Sequence, residues 1–330
     1  MVLQSKKPAL IGGPIRRHGD VSLFPGSPED GIRVRETGRL NPEPPEFPPP
    51  HNPTGFNLAD LKEPTILTVP IEVPSHDPRG HPCAVNYESW KRIKDCRYGI
   101  ASNTFSHKGH GHVACLSNLE RIGLSHFEMN PYVLEIRSQY PEWDRDKFAS
   151  RLERGGDIPK NNVMTIDFML TIKIPGSSQP HYHGVSFKPY KELELNKNPE
   201  RHERERQILG LWGATHEIMT EHTFSKKEDI NNQRLFQYML HVNDVHRYPK
   251  IAWNFAKRLL NSEAQGDYDR VISMVAKKLK YSRDEGYRLF ALAHFFGYLR
   301  FDHENELLPD TPFTKSRKRM TPSISYRLLN

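Results

Sequence analysis

The sequence predicts an α+β protein: a small mixed α/β body, a helical C-terminal region and a long extended Pro-rich N-terminal arm. Three observations carry this. Residues 1–82 hold 16 of the 27 prolines, including the run from Pro42 to Pro50 (Pro-Glu-Pro-Pro-Glu-Phe-Pro-Pro-Pro). Asn162 to Ile174 alternates with the period of a strand. From Asn198 onward, capping signals and helical apolar stripes recur as far as Arg300.

The arm comes first, over 1–64. Proline lacks an N–H and clashes with the preceding turn, so this stretch holds no helix, and it cannot sit centrally in a sheet. Gly12-Gly13-Pro14, Pro25-Gly26 and Gly55 add breaker signals. A segment that cannot build its own core orders on a partner. Residues 1–82 carry nine Lys/Arg against ten Asp/Glu, so the arm reads as a protein-contacting strap rather than a polyanion binder.

The body is expected over 65–195. Thr65 to Val73 is the first strand candidate, with Pro70 demoting it to an edge. Tyr87 to Arg97 is expected helical and Ser102 to Gly111 a loop. Leu116 to Leu124 is a short helix that Ser117 can cap. Pro131 to Arg137 reads as a short strand or helix, and Pro141 to Leu152 as a helix closed by Gly155-Gly156. Within Asn162 to Ile174, Met164, Ile166, Phe168, Leu170 and Ile172 form an apolar face. Val163, Thr165, Asp167, Met169 and Thr171 form a wetter one, so a half-buried strand is expected. Gly184 to Pro189 is its candidate partner.

The helical region is expected over 196–308. Asn198-Pro199-Glu200 starts a helix that runs to Trp212. Ser225-Lys-Lys-Glu228 is a capping box opening a long helix that ends before Pro249. Further helices cover Ile251 to Leu260 and Tyr268 to Tyr281. Ser282-Arg-Asp-Glu285 is a second capping box, opening an apolar helix over Gly286 to Arg300. A basic tail follows over 309–330.

The 330 residues are 36% hydrophobic with a net charge of +7, and mean hydropathy is −0.71. Met1 to Arg17 holds Lys6, Lys7, Arg16 and Arg17 without an acid. Lys315 to Asn330 holds Lys315, Arg317, Lys318, Arg319 and Arg327, again without one. Lys6, Lys7, Arg16, Arg17, Lys277, Lys278, Lys280, Lys315, Arg317, Lys318 and Arg319 are the expected contacts to RNA phosphates, and Tyr281 beside Lys280 would allow stacking on an unpaired base. No RRM, KH or zinc-finger pattern is present, so such contact would be architectural. Three cysteines make no disulfide framework and favour a reducing compartment. No apolar run approaches the roughly 20 residues of a membrane span. The N-terminus has no apolar signal core. It is acid-free until Asp20, which suits organelle import, although arginine is sparse there and nothing marks a cleavage site.

Cys83, Cys96, His107, His110, His112 and Cys115 are the zinc candidates, since flexible glycines would let thiols and imidazoles turn inward. They lack the C-x₂₋₄-C pairing of closed zinc sites, and the alternative is a Gly/His loop touching phosphate or a partner. His181 and His183 would share a strand face and grip a metal. Following Pro180, they read as the start of a loop or edge strand. His216 to His222 misses H-E-x-x-H at Thr220 and the inverted form at Ile218, and is expected to be a solvated charged segment. The acid pairs Asp144/Asp146 and Glu203/Glu205 read as surface ion pairing. No nucleophile elbow, P-loop or dinucleotide fingerprint occurs.

These readings lead to a non-catalytic structural subunit of a large ribonucleoprotein assembly, most simply a mitochondrial ribosomal protein. Its expected partners are neighbouring protein subunits and rRNA, with no cofactor beyond the candidate zinc. In manner the chain is similar to lineage-specific mitochondrial ribosomal proteins, with their proline-rich arms, basic pI and Lys/Arg-ended tails. That similarity includes no family motif and assigns no functional residue. The alternatives are a peripheral accessory subunit of a respiratory-chain or ATP-synthase complex, a viral capsid or nucleocapsid protein, and a metal-dependent hydrolase built on the histidines above.

Overall fold

The structure is a computed structural model describing residues 57–58, 61, 72–96, 100–142, 150–151, 153–156, 163–174, 177, 179–195, 199–300, 303, 306–310, 312 and 321–322. The expected arm lies outside these residues except for Asn57, Leu58 and Leu61, and so do Thr65–Ile71 of the first strand candidate. Leu58 is buried, so this end of the arm packs on the body rather than standing clear of it. The described residues are α+β, with seven helices and a principal four-stranded sheet. They divide into two compact units. One draws on Ile71–Arg121 and Leu134–Glu221, the other on Ile122–Val133 and His222 onward.

The first unit begins in irregular chain. Residues 87–97 hold only the 3₁₀ turn Ile93–Asp95 among the described residues, where the sequence predicts a helix. A hairpin follows, β1 (Ser102–Ser106) against β2 (Gly111–Cys115), with Asn103 opposite Ala114 and Phe105 opposite His112. The sequence predicts a loop here because its glycines dominate the pattern, yet they mark only the turn. At Gly109 a Cβ would lie 2.5 Å from a Val113 methyl, so the turn closes over the strand only without one. The helix α1 (Asn118–Met129), which belongs to the second unit from Ile122 onward, follows Ser117, whose hydroxyl accepts from the Glu120 N–H at 3.1 Å, as the capping reading expects.

The main sheet has the order β3 (Val133–Glu142), β4 (Met164–Lys173), β5 (Pro180–Phe187), β6 (Thr215–Met219). β3 takes in Pro141 and Glu142, the first two residues of the predicted helix over 141–152. Proline fits there because β3 is an edge strand. β4 and β5 run antiparallel, with Leu170 opposite His183; β5 and β6 run parallel, with Val185 opposite Glu217. A parallel pair needs a crossover, supplied by α2 (Tyr190–Glu194) and α3 (Pro199–Gly210), the latter opening on proline as predicted.

Three expectations are corrected here. β4 is buried on both faces: Thr165 and Thr171 are buried and donate to Gln139 Oε1 and Glu135 Oε2. His181 and His183 lie on an interior strand, with Pro180 at its first residue, where no ladder donor is lost. His216–Met219 lies in the strand β6, with Glu217 and Met219 buried, and is not a solvated charged segment. β6 also interrupts the helical stretch predicted from 196 onward. Leu209 and Trp212 pack on Tyr140, Ile166, Met169 and Tyr182.

The second unit is helical: α4 (Lys226–Met239), α5 (Pro249–Leu260), α6 (Tyr268–Lys278) and α7 (Arg283–Phe295). α4 stops well before Pro249, and a 3₁₀ turn over Val245–Arg247, capped by Asp244, fills the gap. Ser282 and Glu285 form the reciprocal capping box that their spacing predicts, whereas at Ser225 the hydroxyl accepts from the Glu228 N–H alone. α7 is the central helix and packs against α4, α5 and α6. Its residues Leu289 to Ala293 are all buried, so no polar stripe is left along that stretch.

Candidate functional site

The polar chemistry of the first unit collects on β5 and β6. Side chains alternate along both strands, so one face carries His181, His183, Thr215 and Glu217, the other Ser186 and His216. On the first face, the Thr215 hydroxyl lies 2.7 Å from His181 Nε2 and 2.7 Å from His183 Nδ1. His183 Nε2 lies 3.1 Å from Glu217 Oε2, which also accepts the Leu58 N–H at 2.7 Å. A carboxylate opposite Nε2 places the proton there in the neutral ring, so Nδ1 is the acceptor. The hydroxyl then donates to His183 and accepts from His181 Nε2–H, which gives the chain a direction. Burial, with the neighbouring His183, pushes the His181 pKa down to about 3, so this imidazole stays neutral.

Thr215, His183 and Glu217 thus stand in the order nucleophile, base, orienter. Access is what the arrangement lacks. His183 is fully buried, Thr215 and Glu217 are buried, and the one hydroxyl proton is committed to a ring nitrogen. The network can hold β5 to β6 and fix tautomers.

On the opposite face, Glu205 from α3 is fully buried and accepts from Arg201 Nε at 2.9 Å and Ser186 Oγ at 3.1 Å. His216 Nε2 is 3.1 Å from Ser186 Oγ and 3.4 Å from Glu205. Burial drives the His216 pKa down to about 4, against the pull of Glu205. The sequence assigns Glu205 to a surface pair with its neighbours. Arg201 does pair with it four residues away, but the carboxylate itself is inside.

A second polar core lies at β3. Asp77 accepts from Arg137 at 2.6 Å, from the Tyr140 hydroxyl at 2.7 Å and from the N–H groups of Arg79 and His81. Arg79 pairs with Glu142, both side chains at 0% exposure. The Arg137 guanidinium lies over the rings of Tyr140 and Tyr182. Burial opposes its charge, but Asp77 and the two phenols outweigh that and raise its pKa. Burial lifts Glu142 to about 7 although Arg79 pulls the other way. No sequence motif marks this core, because Asp77 and Arg137 meet only through the fold.

The six zinc candidates lie in the first unit without converging. Among the described residues no group of three or more His, Cys, Asp or Glu is placed to hold a metal ion. Phe105 makes edge contacts with the rings of both His107 and His112, at centroid distances of 5.0 and 6.0 Å, and His110 is exposed in the turn. Burial pushes the Cys115 thiol up to about 12, far from the thiolate zinc needs. Cys96 donates to the Leu116 carbonyl, and Cys83 lies before the 3₁₀ turn Ala84–Asn86.

Of the expected phosphate contacts, Lys277, Lys278 and Lys280 are exposed where α6 ends. Lys280 has φ +64 and follows the cap residue Leu279, a place that favours glycine. Lys6, Lys7, Arg16, Arg17, Lys315, Arg317, Lys318 and Arg319 lie outside the described residues. Among the described residues no helix is long and apolar enough to cross a membrane. No family model matches the chain, and no curated protein does.

Proposed function

We propose that the protein is a non-catalytic structural subunit of a ribonucleoprotein assembly, with the mitochondrial ribosome as the particle. Neighbouring subunits would meet the proline-rich arm, and rRNA phosphates would meet the basic ends and the tip of α6. The observation carrying this reading is Lys280. A residue with a Cβ in the left-handed region costs roughly 1–2 kcal/mol, and glycine would avoid that cost. The lysine there, beside the exposed Lys277 and Lys278, completes three ammonium groups within four residues. Such a cluster neutralises phosphates without reading bases. The histidine networks support the same reading, since their polar groups are spent on one another. The test is RNA affinity against salt for the full chain and for the triple variant Lys277→Glu, Lys278→Glu, Lys280→Glu. Loss of two or three phosphate contacts should lower the log–log salt slope by about 0.7 for each contact to a single strand. An unchanged slope and affinity would contradict the role of α6.

A further inference from the structure

The described end of the arm meets the main sheet at a buried carboxylate. The Leu58 N–H donates to Glu217 Oε2 at 2.7 Å, across 159 positions of the sequence. Leu58 is 2% exposed and Glu217 8%, and both belong to the first unit. We propose that Glu217 is the anchor that fixes the proline-rich arm to the β5–β6 face at Leu58, with His183 and Thr215 as positioning residues that hold its carboxylate in place.

Among the described residues Glu217 has two donors, the Leu58 N–H and His183 Nε2 at 3.1 Å, and both meet the same oxygen. No lysine or arginine pairs with it among those residues. A buried carboxylate in that position depends on its N–H donors, and losing one leaves charge uncompensated in the interior. The arm and the carboxylate therefore hold each other. His183 is itself held: Nδ1 lies 2.7 Å from the Thr215 hydroxyl, which lies 2.7 Å from His181 Nε2. The chain fixes the ring of His183 and so aims Oε2 at the arm. β6 supplies the spacing, since Thr215 and Glu217 are two residues apart and share one face. A backbone N–H is present whatever the side chain, so the carboxylate recognises the path of the chain. Burial of the Leu58 side chain then selects which residue sits there. Fifty-seven residues precede Leu58. A fixed root gives them one point of departure and reduces the freedom lost when the arm settles on a neighbouring subunit. That use rests on the structural-subunit reading, whereas the anchor itself does not.

Residue-resolved hydrogen exchange on the full chain tests the anchor without RNA or a particle, so its failure and that of the RNA reading are told apart. The Leu58 amide should exchange at least about a hundredfold more slowly than in unstructured chain. Glu217→Ala should speed it by about tenfold or more, while amides of the interior strand β4 keep their rates. Hydrogen bonds to an ionised acceptor are about twice as strong as neutral ones. Glu217→Gln, which keeps an acceptor oxygen without the charge, should therefore give a smaller acceleration of about threefold or more, and it supplies the readout if the alanine variant does not fold. Thr215→Val should also speed Leu58, and Thr215→Ser should restore it. A Leu58 amide exchanging as fast as free chain would overturn the proposal. So would a rate unmoved by both Glu217 variants, or one that changes only in step with β4, since that is the signature of general destabilisation. A Leu58 rate indifferent to Thr215→Val would remove Thr215 from the device.

Discussion

The guanidinium of Arg137 donates to the carboxylate of Asp77 at 2.6 Å, with the two side chains 1% and 0% exposed. Asp77 thereby ties the irregular segment 75–83 to the edge strand β3, because it accepts at once from Arg137, Tyr140 and two backbone N–H groups. Charge of this kind is costly to bury, and costlier to leave without its partner.

Asp77→Asn keeps the shape and removes the charge. It leaves Arg137 buried without its counter-ion, so a loss of about 3–5 kcal/mol in unfolding free energy is expected from urea titration. A change under about 1 kcal/mol would mean that water or another chain segment already compensates Arg137.

The helical unit offers a packing test at Gly286. A Cβ there would lie 2.8 Å from Ala276 Cβ and 3.1 Å from an Ile272 methyl, both on α6. Neither neighbour is the end of a flexible side chain. Gly286→Ala should therefore cost about 1–3 kcal/mol despite alanine's better helix propensity. Stabilisation by the variant would show that α6 and α7 can move apart freely.

Stability should depend on pH through groups of opposite sign. His181 and His216 have folded pKa values pushed down to about 3 and about 4, from 6.5. Unfolding lets both take protons, so their contribution is complete above about 6.5 and is lost as the pH falls toward about 4 for His216 and about 3 for His181. Glu142 has a folded pKa pushed up to about 7 from 4.5. Its contribution is present below about 4.5 and is lost as the pH rises through 7. His216→Asn should flatten the acid side of a plot of stability against pH, and Glu142→Gln the neutral side. Urea midpoints across this range check both.

Lys280 separates stability from binding. Lys280→Gly removes the left-handed strain, partly offset by glycine's extra unfolded freedom, so a gain of about 0.5–1 kcal/mol is expected. RNA affinity should fall at the same time. If stability rises with affinity intact, the lysine has no phosphate role.

How far the fold was legible follows from where its signals are local. The capping box at Ser282 and Glu285 and the proline opening α3 each depend on residues a few positions apart, and both could be read directly. The hairpin β1–β2 could not, because Gly109 and Gly111 read as loop while the pairing of Asn103 with Ala114 spans the turn. β6 was hidden for a related reason. Thr215 to Met219 is polar by composition, and only its parallel partner β5 puts His216 and Glu217 inside. The polar cores needed long-range partners throughout: Asp77 with Arg137, Glu205 with Ser186, Thr215 with His181 and His183. The histidines could be picked out one by one, but not the hydroxyls and carboxylates that hold them.

The central claim is that this chain works as a structural subunit bound through RNA. The most direct measurement is sedimentation of the native particle holding the full chain, before and after ribonuclease treatment. Co-sedimentation with a large particle, and release when the RNA is digested, is the predicted result. Sedimentation as a free monomer, or in a particle that ribonuclease leaves unchanged, would contradict the account.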